Sequence, residues 1–132
     1  MRISKPKERW FKMPGDPDEG EVKIKHLSPG ERQDIFDKVF LQEIEYETGE
    51  QGKMIPKMKQ VTDRKTDREQ TLVRAVKDWK NFFDEDGKPL ECNEKNIIRA
   101  SREIEGFAEF VAECRQTMDE HIFEEEKELE KN

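Results

Sequence analysis

The chain has 132 residues, 43% of them charged and only 32% hydrophobic, which fits one domain with a lean core. Eight Phe and two Trp, with Ile, Val, Leu and Met at regular spacing, concentrate enough apolar surface to exclude wholesale disorder. The net charge of −7 is uneven, since residues 81–132 carry 7 Lys and Arg against 16 Asp and Glu; without a concentrated basic face, the chain is a poor binder of nucleic-acid phosphates.

In chain order, "ERWFKMP" (8–14) and "EVKIKHL" (21–27) read as extended segments, joined by the turn-forming "GDPDEG". This predicts a β-hairpin over 8–27. Two strands alone are marginal in water, so the hairpin must lean on a helix or a neighbouring chain. Ser28, Pro29 and Glu31 then spell a helix start: a hydroxyl cap, a proline in the first turn and a glutamate closing a capping box. Ile35, Phe36, Val39, Phe40 and Ile44 recur on one helical face, predicting a helix over 29–46.

Residues 47–61 lose that period and contain Gly49, Gly52 and Pro56, so they read as a loop. The bland reading is a solvated connector whose Met54 and Met58 touch the core. The functional one is an adaptable docking segment, because unbranched methionines repack easily against different partners. A second helix is expected over 64–83, with Leu72, Val76, Trp79 and Phe83 on one stripe flanked by Val73 and Phe82. Asn93 caps a short helix over 93–101 bearing Ile97 and Ile98. The last helix, 103–125, sets Ile104, Phe107, Val111, Cys114, Met118 and Ile122 at three- and four-residue steps, the spacing of an intramolecular core stripe or of a coiled-coil seam. Residues 126–132 form an acidic tail expected to fray, since carboxylates at a helix C-terminus oppose its dipole. The pattern as a whole predicts a single α+β domain, mainly helical, with about four helices and a small N-terminal β-hairpin.

The acidic corner Asp84-Glu85-Asp86-Gly87 raises the question of a metal loop. Setting Gly87 at the sixth position of a calcium loop places Phe82 first and Asn93 twelfth, where carboxylates are required, so the corner reads as a structural turn. His26 falls on a predicted strand and His121 on a charged helix off its apolar stripe, where adjacent Asp119 and Glu120 do not face it, so both read as solvated histidines, and no phosphate-cradling glycine loop or His-Glu-x-x-His zinc pair occurs. Catalytic, cofactor and metal residues are therefore expected to be absent. Cys92 and Cys114 have neither zinc-site spacing nor the density of a disulfide scaffold, and read as reduced thiols of an intracellular protein. No apolar run follows the basic N-terminus and no window approaches a membrane span, so neither a leader nor membrane association is expected.

"LVRAVKDWKNFFDEDGKPLECNEKNI" is a tryptophan-ended segment, an acidic Asp-Gly turn with proline and an Asn-capped helix. It resembles the central segment of small tail assembly chaperones of long-tailed bacteriophages. The front end, "RWFKMPGD" and "EVKIKHLSPGER", is similar to many small phage tail-module proteins. What the resemblance implies is a non-enzymatic protein of the bacterial host cytoplasm that binds tape-measure or tail-tube protein during tail morphogenesis. From charge and hydropathy no nucleic-acid or membrane partner is expected, and homo-oligomerisation is open to the chain. A permanent structural tail or connector component is the alternative, with the hairpin adding a strand to a neighbour's sheet. Candidate partner-binding residues are Trp10, Phe11, Met54, Met58 and Trp79.

Overall fold

The computed structural model describes the backbone of residues 1–131 and, apart from 41–45, 47, 59–62, 130 and 131, their side chains. Strand β1 (Glu8–Lys12) pairs antiparallel with β2 (Glu21–Lys25), from Glu8 opposite Lys25 to Lys12 opposite Glu21. The loop between them is tied by Asp16, whose carboxylate accepts from the amides of Asp18 at 3.1 Å and Gly20 at 2.8 Å. The N-terminal hairpin is as expected from the sequence. Its missing support is a third strand, β5 (Val76–Lys80), antiparallel on the other side of β2 and giving the order β1-β2-β5.

Helix α1 (Pro29–Val39) begins with the full capping box: the Ser28 hydroxyl accepts from the Glu31 amide at 3.2 Å and the Glu31 carboxylate accepts from the Ser28 amide. Helix α2 (Arg64–Ala75) is capped by Asp63, which accepts from both the amide and the hydroxyl of Thr66. Helix α3 (Glu94–Glu103) is capped by Asn93 as predicted. Helix α4 (Phe107–Lys131) follows a break at Gly106, whose φ of +79° suits glycine. One face of the three-stranded sheet presents Val22, Ile24, Val76 and Trp79 to α4, α2 and α3, where Leu72, Ile97, Phe107, Val111 and Met118 complete the core. A satellite cluster of Leu27, Ile35 and Val39 anchors α1. The architecture is α+β, mainly helical, with four helices among the described residues.

The element boundaries differ from expectation in several places. The helix expected over 29–46 ends at Val39, and Phe40–Thr48 forms strand β3 instead; Ile44 of the expected stripe has a side chain outside the described residues. The loop expected over 47–61 is mostly strand β4 (Met54–Thr62), antiparallel to β3 across a tight turn at Glu50–Gly52. The helix expected over 64–83 stops at Ala75 and continues as β5. Lys23 pairs with Asp78 but Ile24 pairs with Val76, so Lys77 is a bulge. That extra residue lets Val76 and Trp79, three apart, both face inward in a strand, a spacing that in sequence imitates a helix. Phe82 and Phe83 also exchange roles, the first being buried and the second exposed. Ile104, expected on the last helix, lies exposed at the break, and the tail expected to fray from 126 is helical as far as Lys131.

Candidate partner-binding surface

The β3–β4 pair is a separate two-stranded ribbon, entered directly from α1 and left through α2. At its base the Asp63 amide donates to the Val39 carbonyl at 3.1 Å, and Phe40 stacks on Phe36 with ring centroids 5.1 Å apart. At its tip the Gly49 amide donates to the Lys53 carbonyl at 2.7 Å. None of its described side chains joins the buried clusters.

Directly opposed residues in an antiparallel ladder project to one side, and successive residues alternate. The register opposes Tyr46 to Pro56 and Thr48 to Met54, with Met58 two residues further along the same face. Tyr46 is 61% exposed, Met54 61% and Met58 60%, so an apolar strip lies open to solvent along one side of the ribbon. In alternate register, Glu45 stands opposite Lys57 and Glu43 opposite Lys59, two positions of opposite charge flanked by Glu47 opposite Ile55 and Leu41 opposite Val61. An isolated two-stranded ribbon with one apolar face is marginal in water and gains by covering that face.

The remaining candidates fall elsewhere. Trp10 lies on the outer face of the three-stranded sheet, half-buried beneath lysines, with the Lys80 ammonium 4.2 Å from its ring centroid. Phe11 points inward and packs against the core, with the Arg9 guanidinium 4.9 Å over its ring. Trp79 is only 6% exposed, stacked on Phe82 at 4.4 Å and donating its indole N–H to the Leu90 carbonyl at 2.8 Å. Such burial leaves Trp79 no open face for a partner. Of the five candidates, Met54 and Met58 alone share one exposed surface. Tyr46 and Ile55, not singled out from the sequence, are also exposed on this ribbon. The signal for them was the Glu43, Glu45, Glu47 alternation facing Lys57 and Lys59 across a Gly-containing turn.

The acidic corner is a turn held by its own backbone. Asp84 accepts from the amides of Asp86 and Lys88, both at 2.9 Å, Gly87 takes a φ of +77°, and Glu85 pairs with Arg99. Among the described residues no group of three or more His, Cys, Asp or Glu is placed to hold a metal ion. His26 contacts Asp119 at 2.9 Å and His121 contacts Glu125 at 3.4 Å, each pair near the surface. Burial pushes both thiols, Cys92 and Cys114, up to about 11, so they stay protonated at neutral pH and are poor nucleophiles. No described helix is long and apolar enough to cross a membrane. No protein-family model, curated protein or solved structure matches the chain.

Proposed function

We propose that the protein is a bacteriophage tail assembly chaperone-like protein, non-enzymatic, which binds tape-measure or tail-tube protein in the host cytoplasm during tail morphogenesis. The observation that carries the reading is the β3–β4 ribbon, with Tyr46, Met54, Pro56 and Met58 along one side and none of its described side chains in a buried cluster. A transient chaperone needs an apolar surface that adapts to its client and a body that stays soluble without it. Methionines on a narrow ribbon supply the first, and a body with 43% charged residues supplies the second. The resemblance of the Trp79 corner and of the front end to phage tail proteins supports the choice of client.

The test is co-purification with co-expressed tape-measure protein. The full chain should retain it, while Met54→Glu combined with Met58→Glu should release it with the melting temperature unchanged. Equal retention by the charged variant would remove the ribbon from the reading. The alternative, a permanent tail or connector subunit, is favoured by the open edges of this ribbon, each able to accept a neighbour's strand. Mass spectrometry of finished virions separates the two, because a chaperone is absent from particles and a subunit is present in several copies.

A further inference from the structure

Between α4 and the α1–α2 pair runs a cleft that no side chain of this molecule fills. Three adjoining cavities of about 330, 340 and 370 Å³ open along it, and Arg115 lines all three. The strip of α4 facing the cleft, from Ala108 to Glu126, is about 27 Å long at 1.5 Å per residue. The opposite wall offers Ile35 and Phe36 of α1. Three cations in the cleft lack side-chain partners among the described residues: Arg32 on α1 and Arg68 on α2, both exposed, and the half-buried Arg115 on α4. Of the acids lining the same cleft, Asp119 is engaged by His26, Asp67 and Glu109 are exposed on α2 and α4, and this molecule's own Glu126 stands three turns along α4 from Arg115, too far to reach it. A half-buried, unpaired guanidinium among apolar walls calls for a carboxylate carried on an apolar segment.

The C-terminal end of α4 has the complementary features. Phe123 is 65% and Leu129 76% exposed, and each lies three residues from Glu126, so the three share one side of the helix. Glu126 itself has no ion pair among the described residues. It follows Arg115 by eleven residues, almost exactly three turns at 3.6 residues each, so both groups lie on the same side of α4.

We infer that the cleft is occupied by the end of α4 from a second copy of this chain, the two α4 helices lying antiparallel about a two-fold axis near Glu120 and His121. Because that axis falls midway between Arg115 and Glu126, a single arrangement sets each Glu126 against the other copy's Arg115. The same arrangement brings each Leu129 opposite Ala112, where the small side chains of Ala108 and Ala112 leave a cavity beside α2. The contact is isologous and closed, so it stops at a dimer and leaves the β3–β4 ribbon of each copy free for a client.

Sedimentation equilibrium over a micromolar to sub-millimolar range tests this. The full chain should reach twice its 15.8 kDa mass. Arg115→Glu or Glu126→Lys alone should raise the dissociation constant by at least about tenfold, through like charges set face to face, and the two together should restore it. Thermal melts of the same samples separate dissociation from unfolding; Glu126 is exposed, so Glu126→Lys keeps the fold even if Arg115→Glu disturbs it. A chain that stays monomeric throughout, a dimer indifferent to both single changes, or a double variant that fails to recover would each overturn the inference. Dimerisation by the Met54→Glu, Met58→Glu chain keeps this contact distinct from client binding.

Discussion

Trp79 shows how one side chain joins two parts of the fold. Its ring lies flat on Phe82, meets Phe107 edge-on at 6.3 Å, and its indole N–H ties the Leu90 carbonyl, so strand β5, the acidic corner and α4 all converge on it. Trp79→Ala should cost about 3–5 kcal/mol in denaturant unfolding, a large part of the stability of a domain this size. Trp79→Phe keeps most of the ring contact and should cost much less; equal losses would mean that the indole hydrogen bond, not packing, dominates. Glu31 links charge to stability at the same scale. Burial alone would raise its carboxyl pKa, but the Lys25 ammonium at 2.8 Å and the Ser28 amide and hydroxyl outweigh that and hold it below its usual value of 4.5. A lowered folded-state pKa means that the contribution is present above the unfolded value and is lost as pH falls through the folded one. Acidifying from about pH 5 to pH 3 should therefore lower the urea midpoint of the native chain more than that of Glu31→Gln. Parallel pH profiles would show that the capping box contributes through geometry alone.

At the level of elements, the β3–β4 ribbon is an insertion whose removal the body should tolerate. Its two ends are already joined by the Asp63 to Val39 hydrogen bond, and none of the described side chains from 40 to 62 belongs to either buried cluster. Replacing 41–61 with a short Gly-Ser turn should leave the melting temperature within a few degrees, since cutting a surface loop changes closure entropy only slightly. A collapse of the fold would show that the ribbon shields the Leu27, Ile35, Val39 cluster. The same region shows what sequence patterns resolve. The capping signals at Ser28 and Asn93 were legible because each depends on a few neighbouring side chains. The switch from α1 to β3 was hidden because Phe36, Phe40 and Ile44 satisfy a helical period, while Glu43, Glu45 and Glu47 satisfy a strand period. The strand is realised through its pairing with β4, which sets Glu45 and Glu43 opposite Lys57 and Lys59, a long-range register that no local window contains. The bulge at Lys77 hid β5 in the same way, and with it the burial of Trp79. Met54 and Met58 were visible as candidates from composition, but the surface they share with Tyr46 exists only once the register is set.

At the scale of the whole molecule, the acidic end of α4 is separable from the body that carries it. The buried stripe of α4 runs through Phe107, Val111, Cys114 and Met118, and the described side chains from Phe123 onward are exposed. The contacts given up on truncation after Ile122 include those of Glu125 with Lys7 and with His121, both near the surface and worth little. Removal also takes carboxylates away from the negative end of the helix dipole, a small gain that offsets part of that loss. The truncated chain should thus melt within a few degrees of the full one and lose helical signal only in proportion to the residues removed. If α4 ends dock in the cleft of a second copy, the same truncation abolishes dimerisation, because Phe123, Glu126 and Leu129 leave together. A folded, monomeric, truncated chain is the expected outcome. A large fall in melting temperature that does not depend on protein concentration would instead show that Phe123 and Leu129 support their own domain, whereas a fall that grows with dilution in the full chain would show stability shared between two copies.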